Sequence, residues 1–196
     1  PLEVTLLPRV IGNGGFADGG VSISYLDRNY ALGDTAIIFH HELIHILDGQ
    51  LGGDYHPPFL VEGLAVYLSG GHFKPEPLMG RAAALLPPGD NCVPVTFDQQ
   101  NPTESPGDNL TTPVEPCGLG LYIPLVELVN NFYTHQHEIG YLEAAALIEY
   151  MVDTWGWDAF SDFYRDIQIP NGIVSGGASL ADLSAIAMED ALQRHF

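Results

Sequence analysis

The chain reads as an α+β domain, mostly helical, with a small N-terminal β-sheet or hairpin. Three observations carry that reading: two short β-type runs separated by glycines open the chain, helix-length apolar runs fill most of the rest, and no internal repeat or Gly/Ser linker divides the 196 residues. A single domain, 1–196, is the simplest organisation at this length.

Val4 to Ile11 and Val21 to Leu26 are the expected strands, with Gly12-Asn13-Gly14-Gly15 and Gly19-Gly20 as turns. In Val21-Ser22-Ile23-Ser24-Tyr25 apolar residues alternate with serine, so one face is buried and the other meets water or a ligand. From Asp34, read as an N-cap, an apolar run continues through Leu47 and stops near Gly49; its length favours helix over strand. Phe59 to Leu68 starts beside Pro57-Pro58 and ends at Gly70-Gly71, as a short helix does. Pro75 to Leu86 is a further helix. Residues 87–118 hold most of the turn formers and few periodic apolar positions, which marks a long surface insertion. Leu119 to Tyr133, Ile139 to Trp155, Trp157 to Ile167 and Leu180 to Arg194 complete the set as four helices.

Six Lys+Arg against 25 Asp+Glu leave a formal charge of −19. A field of that sign repels phosphate backbones and anionic lipid, which disfavours nucleic-acid and membrane-surface roles. Hydrophobic residues make up 46% of the chain, too many for a disordered acidic tail. No stretch approaches the roughly 20 apolar residues of a membrane span. Pro1 to Gly12 lacks the basic start and cleavage site of a signal peptide, and the start reads as trimmed.

The two cysteines, Cys92 and Cys117, lie in one Pro/Gly/Asn-rich stretch without C-x-x-C spacing. A disulfide between them is preferred over two free thiols. It would contribute about 3.5 kcal/mol in the chain-entropy model and would point to an oxidising, extracellular or cell-surface compartment. Asn109-Leu110-Thr111 is a formal glycosylation acceptor, a triplet common by chance.

The chemistry concentrates in His40-His41-Glu42-Leu43-Ile44-His45, where His41, Glu42 and His45 spell H-E-x-x-H. At about 100° per residue, positions four apart lie about 40° apart around a helix, so His41 and His45 project from one face. His40 points off that face. Two imidazoles are half a site, because catalytic zinc takes three protein ligands and keeps a fourth position open. A third histidine would fall at position 51 with glycine at 48, but the chain has Leu51 and Asp48. A G-T-x-x-D segment is absent. A glutamate on a second helix downstream is met by Glu62 in Val61-Glu62-Gly63-Leu64-Ala65.

His41-Glu42-Leu43-Ile44-His45 followed by Val61-Glu62-Gly63-Leu64-Ala65 resembles the gluzincin metallopeptidases, the group of thermolysin and the zinc aminopeptidases. The resemblance implies a zincin-like fold and a Zn2+ ion held by His41, His45 and Glu62. It makes Glu42 the general base that takes a proton from the water zinc activates, and a peptide or protein the substrate. The Glu62 helix is expected to pack closely on the first, which the small residues Gly63 and Ala65 suit. Gly140-Tyr141-Leu142-Glu143-Ala144-Ala145-Ala146, running on through Tyr150 to Trp155-Gly156-Trp157, is similar to the late helix of several gluzincin families. Those families supply an oxyanion donor from this part, which makes Tyr141, His135 and His137 the candidates, Tyr141 preferred. In the same comparison Val21 to Tyr25 would be an edge strand that pairs with substrate.

Two features depart from the pattern. The acid that often orients a zinc histidine would fall at Val66; Asp48, one turn past His45, or a backbone carbonyl could stand in. Fewer than 40 residues precede the zinc helix, so the N-terminal lobe is expected to be reduced or missing and the cleft open or built by another domain. No G-x-M-E-N-like amine anchor is present, which favours endopeptidase over aminopeptidase action. His56 and His72, flanking the second helix, are expected on loop surface. The competing readings are a zincin-fold peptide-binding module without turnover and an acidic extracellular interaction domain. The first is disfavoured by Glu42, the second by the lack of a D-x-D-x-D-G calcium loop.

Overall fold

The computed structural model describes residues 2–8, 14–24, 32–51, 56–72, 75–87, 119–134, 138–167 and 180–196. Cys92, Cys117, Asn109, His135 and His137 lie outside these residues, as does nearly all of the expected insertion. Among them the architecture is α+β and dominated by helix: strands β1 (Val4–Leu7), β2 (Gly15–Ala17) and β3 (Val21–Ser24) precede seven helices.

The sheet is not the simple hairpin of the two expected strands. β1 pairs with β3 in parallel, Val4 opposite Val21 and Leu7 opposite Ser24, while β2 pairs with β3 antiparallel, giving the order β1-β3-β2. Part of the glycine-rich stretch expected as a turn is itself a strand. Its glycine permits this: a Cβ on Gly15 would sit 2.9 Å from the Ser22 carbonyl oxygen across the pair. The turn proper is Asp18-Gly19-Gly20, where Gly19 takes φ +67° and the Asp18 N–H donates to the Gly20 carbonyl at 3.0 Å. β3 therefore lies in the middle of the sheet, with Val21 and Ile23 buried against Ile38 of the first helix.

Helix α1 (Leu32–Leu51) starts two residues before Asp34 and continues past Gly49, so Asp34 is not its N-cap. A glycine inside a helix costs about 1 kcal/mol, which tertiary packing readily offsets. Helix α2 (Pro58–Ser69) begins at proline and stops at Gly70, whose φ of 80° lets the Gly70 and Gly71 N–H groups turn back to the Tyr67 and Val66 carbonyls. Helix α3 (Leu78–Leu85) follows.

The helix expected over Leu119–Tyr133 forms only as α4 (Leu125–Asn131) and a 3-10 turn, Phe132–Thr134. Pro124 biases the residue before it away from helix. The preceding backbone bonds elsewhere: the Leu121 and Tyr122 N–H groups donate to the Leu85 and Leu86 carbonyls, and the Ile123 N–H to the buried Glu143 carboxylate. Helix α5 (Glu138–Trp155) ends at Gly156, at φ 88°, before α6 (Trp157–Arg165) and α7 (Leu180–His195).

The core lies around α2, which packs on α1 at one side and α5 at the other. Phe59, Leu60 and Leu64 of α2 meet Leu142 and Ile148 of α5, and Phe160, Phe163 and Tyr164 of α6 extend the same cluster. Truncating one of the large aliphatic residues here costs about 2–5 kcal/mol. No described helix is long and apolar enough to cross a membrane.

Candidate metal centre

His41 and His45 stand one turn apart on α1, and Glu62 faces them from the middle of α2. Their donor atoms converge. His41 Nε2 and His45 Nε2 are 3.1 Å apart, and Glu62 Oε2 lies 3.2 Å from the first and 3.4 Å from the second. A tetrahedral centre with bonds of about 2.0–2.1 Å has ligand-to-ligand edges of about 3.3–3.4 Å. The three atoms thus match one face of such a tetrahedron, and among the described residues they form the one group able to hold a metal ion. Two imidazole nitrogens and a carboxylate oxygen bring acceptor lone pairs together, an arrangement that only a shared proton or cation makes attractive.

Electrostatics agree with that geometry. Burial acting alone would raise Glu62, but hydrogen bonds from His41 and His45 outweigh it and hold the carboxyl at about 2. Burial lowers His41, keeping its imidazole neutral as a ligand must be. Burial would lower His45 too, yet Glu62, with Glu42 and Asp48, outweighs it and leaves His45 raised.

Glu42 sits beside the cluster without belonging to it. Burial, less the influence of His45 and with added repulsion from Glu62, pushes its carboxyl up to about 7. A base of that strength exchanges protons with water near neutral pH. Its carboxyl is covered by β2: a Cβ on Gly15 would lie 3.0 Å from Glu42 Cγ and 3.1 Å from Oε1.

The strand expected at the edge is not there. β3 is flanked on both sides, so its backbone groups are taken up by β1 and β2, and among the described residues the outer strand beside Glu42 is β2. Sequence alternation identifies a half-buried strand but not its neighbours, which is why Val21 to Tyr25 resembles an edge.

Tyr141, from the first turns of α5, is buried with its ring centroid 6.3 Å from that of His41. His72 lies between the loop and this site rather than on the surface, 6.0 Å from His41 and stacked on Tyr141 at 3.9 Å. His56 is equally misplaced by sequence reasoning. It is buried, stacks on Tyr164 at 3.8 Å, and its Nε2 meets the Tyr164 carbonyl at 2.9 Å. Two histidine–tyrosine stacks therefore bracket α2, one at each end. Neither histidine has a periodic or motif signal; the helix-breaking Pro57-Pro58 and Gly70-Gly71 beside them mark only the chain reversals that carry them inward.

Asp48 does not orient a ligand histidine. Its carboxylate accepts the Tyr164 hydroxyl at 2.5 Å and lies 4.0 Å from His56 Nδ1. His41 Nδ1 is buried without a hydrogen-bond partner among the described residues, and Val66, where an acid would have stood, is fully enclosed by apolar core. No family model matches the chain, and no curated protein or solved structure matches it either.

Proposed function

We propose that this protein is a zinc-dependent metallopeptidase of zincin-like fold, and that it cleaves peptide bonds within a chain. The observation that carries the reading is the triangle of His41 Nε2, His45 Nε2 and Glu62 Oε2, with edges of 3.1 to 3.4 Å, beside the carboxyl of Glu42. The nitrogen-rich donor set with one carboxylate suits zinc better than calcium or magnesium, which favour all-oxygen shells. His41, His45 and Glu62 would hold the ion, and zinc when bound supplies Lewis-acid polarisation of a water and of the scissile carbonyl.

The remaining work falls to the chain itself. The Glu42 carboxylate, beside the donor cluster, takes a proton from the attacking water and returns it to the leaving amine nitrogen. Tyr141, whose ring centroid lies 6.3 Å from that of His41, supplies its hydroxyl as the donor for charge that develops on the carbonyl oxygen. β2, the outer strand among the described residues, offers its edge to an extended substrate, and Gly15 lets β2 lie close to Glu42. The −19 charge favours substrates with basic residues, and a secreted setting is consistent with it.

Metal analysis of the purified protein, followed by cleavage profiling on a mixed peptide library, tests the proposal. Near-stoichiometric zinc and chelator-sensitive cleavage that disappears in Glu42→Gln are expected. Equal background rates in wild type and Glu42→Gln would leave a peptide-binding module as the better reading.

A further inference from the structure

His72 is where sequence and structure disagree most. It follows the α2 C-cap, yet its ring is placed inside the molecule and held from several directions. Its backbone N–H donates to Glu76 Oε1 at 3.1 Å, and its Nδ1 lies 3.4 Å from Oε1 of Glu138, the first residue of α5. Arg81 pairs with Glu76 and lies 3.9 Å from Glu138, so the acids that hold His72 are themselves tied together. The imidazole is laid flat on Tyr141, with centroids 3.9 Å apart and planes inclined by 15°. Phe132 meets the Tyr141 ring edge-on at 5.4 Å.

A hydrogen-bond donor lowers a barrier to the extent that it is already in place when charge develops. Tyrosine alone has two rotatable side-chain bonds, and a phenol that swings away from His41 loses that advantage. The flat face of His72 restricts the swing, and its Nδ1 edge lies 3.4 Å from Glu138 Oε1.

We infer that His72 is a positioning residue that holds the Tyr141 ring beside the metal centre, through a stack on Tyr141 and a contact to Glu138. The inference rests on the hydrolase reading only for its consequence in catalysis; the positioning itself is a separate claim.

The test uses the zinc-loaded full chain and compares wild type, His72→Ala, His72→Phe, Tyr141→Phe and the double variant His72→Ala/Tyr141→Phe. His72→Ala is expected to lower kcat by about tenfold or more with KM little changed, and the double variant to be no slower than Tyr141→Phe alone. His72→Phe keeps the stacking face and is expected to recover most of the loss. Zinc affinity, read by competition with a chromogenic chelator, should stay within about twofold throughout. A second readout needs no turnover: with 3-fluorotyrosine at position 141, the fluorine resonance should move in His72→Ala and return toward its original place in His72→Phe.

A resonance indifferent to His72→Ala, or rate losses that multiply in the double variant, would overturn the inference. If His72→Ala fails to fold, His72→Leu, which keeps bulk but lacks the flat face, takes its place in the same cycle with Tyr141→Phe and in the fluorine experiment. If wild type is no faster than Glu42→Gln, the hydrolase reading fails while the fluorine experiment still judges the positioning.

Discussion

Gly63 on α2 and Ala144 on α5 touch backbone to backbone: a Cβ placed on Gly63 would lie 2.8 Å from the Ala144 carbonyl carbon and 2.9 Å from its Cβ. No side chain fits there without moving a helix. Gly63, expected to suit contact with the first helix, thus serves the contact with α5, and a shift of α2 there would also move Glu62, its neighbour, relative to His41 and His45.

Gly63→Ala is therefore expected to destabilise the fold by about 1–3 kcal/mol, the usual range for overpacking. Metal affinity should fall in the same variant, because the displaced helix carries Glu62, one of the three groups able to hold an ion. Urea unfolding and a chelator competition titration measure the two effects. Unchanged stability would mean that α2 and α5 separate more freely than their contact implies.

Metal binding should depend on pH in a defined direction. A metal ion taken up by His41, His45 and Glu62 would displace protons from them, and His45 is raised above 6.5 because Glu62, Glu42 and Asp48 outweigh its burial. As pH falls through that raised value a proton competes with the metal, so affinity should begin to weaken above pH 6.5. Removing a ligand outright, as in His41→Ala or Glu62→Gln, should cost at least about 100-fold in affinity, more than the loss of an outer partner.

In chelator-treated protein Glu62 acts on stability. Its carboxyl is depressed from 4.5 to about 2, so its contribution is fully present above 4.5 and is lost as pH falls toward 2. The difference in urea midpoint between wild type and Glu62→Gln should close over that window. A difference that persists at the acid end would contradict the hydrogen bonding described for this carboxylate.

At Gly15 the expectation concerns rate. Gly15→Ala brings a methyl group within 3.1 Å of Glu42 Oε1 and against the Ser22 carbonyl, so either the Glu42 side chain or the strand must shift. A displacement of that kind should lower kcat by about 10- to 100-fold while leaving zinc in place. Retained activity with normal KM would show that Glu42 moves without consequence.

Tyr164→Phe removes the hydroxyl that donates to Asp48 at 2.5 Å and leaves that carboxylate short of a partner. A hydrogen bond to a charged group contributes about 1.5–3 kcal/mol, so thermal and urea unfolding should both register the loss. The His56 stack on the same ring is expected to survive.

Some of this was legible in the residues alone, and the boundary is a physical one. Spacing within one helix is a local property, so the chain itself places His41 and His45 on a common face with Glu42 between them. The proline start and glycine stop around α2 are local as well, and they put Glu62 on a helix of its own. Composition settles the acidity. What local rules do not contain is the partner of each element. Strand alternation identified Val21 to Ser24 but could not say that β1 and β2 would enclose it, since pairing order depends on chain segments meeting from afar. His56 and His72 carry no signal in their neighbours; each acquires its place from a tyrosine on a distant helix. Asp48 had the right spacing to support His45 and was drawn instead to Tyr164, whose hydroxyl reaches it from α6. The residues that could bind the metal were written in the sequence. Their meeting within 3.4 Å, and the glycine contacts that permit it, came from tertiary packing.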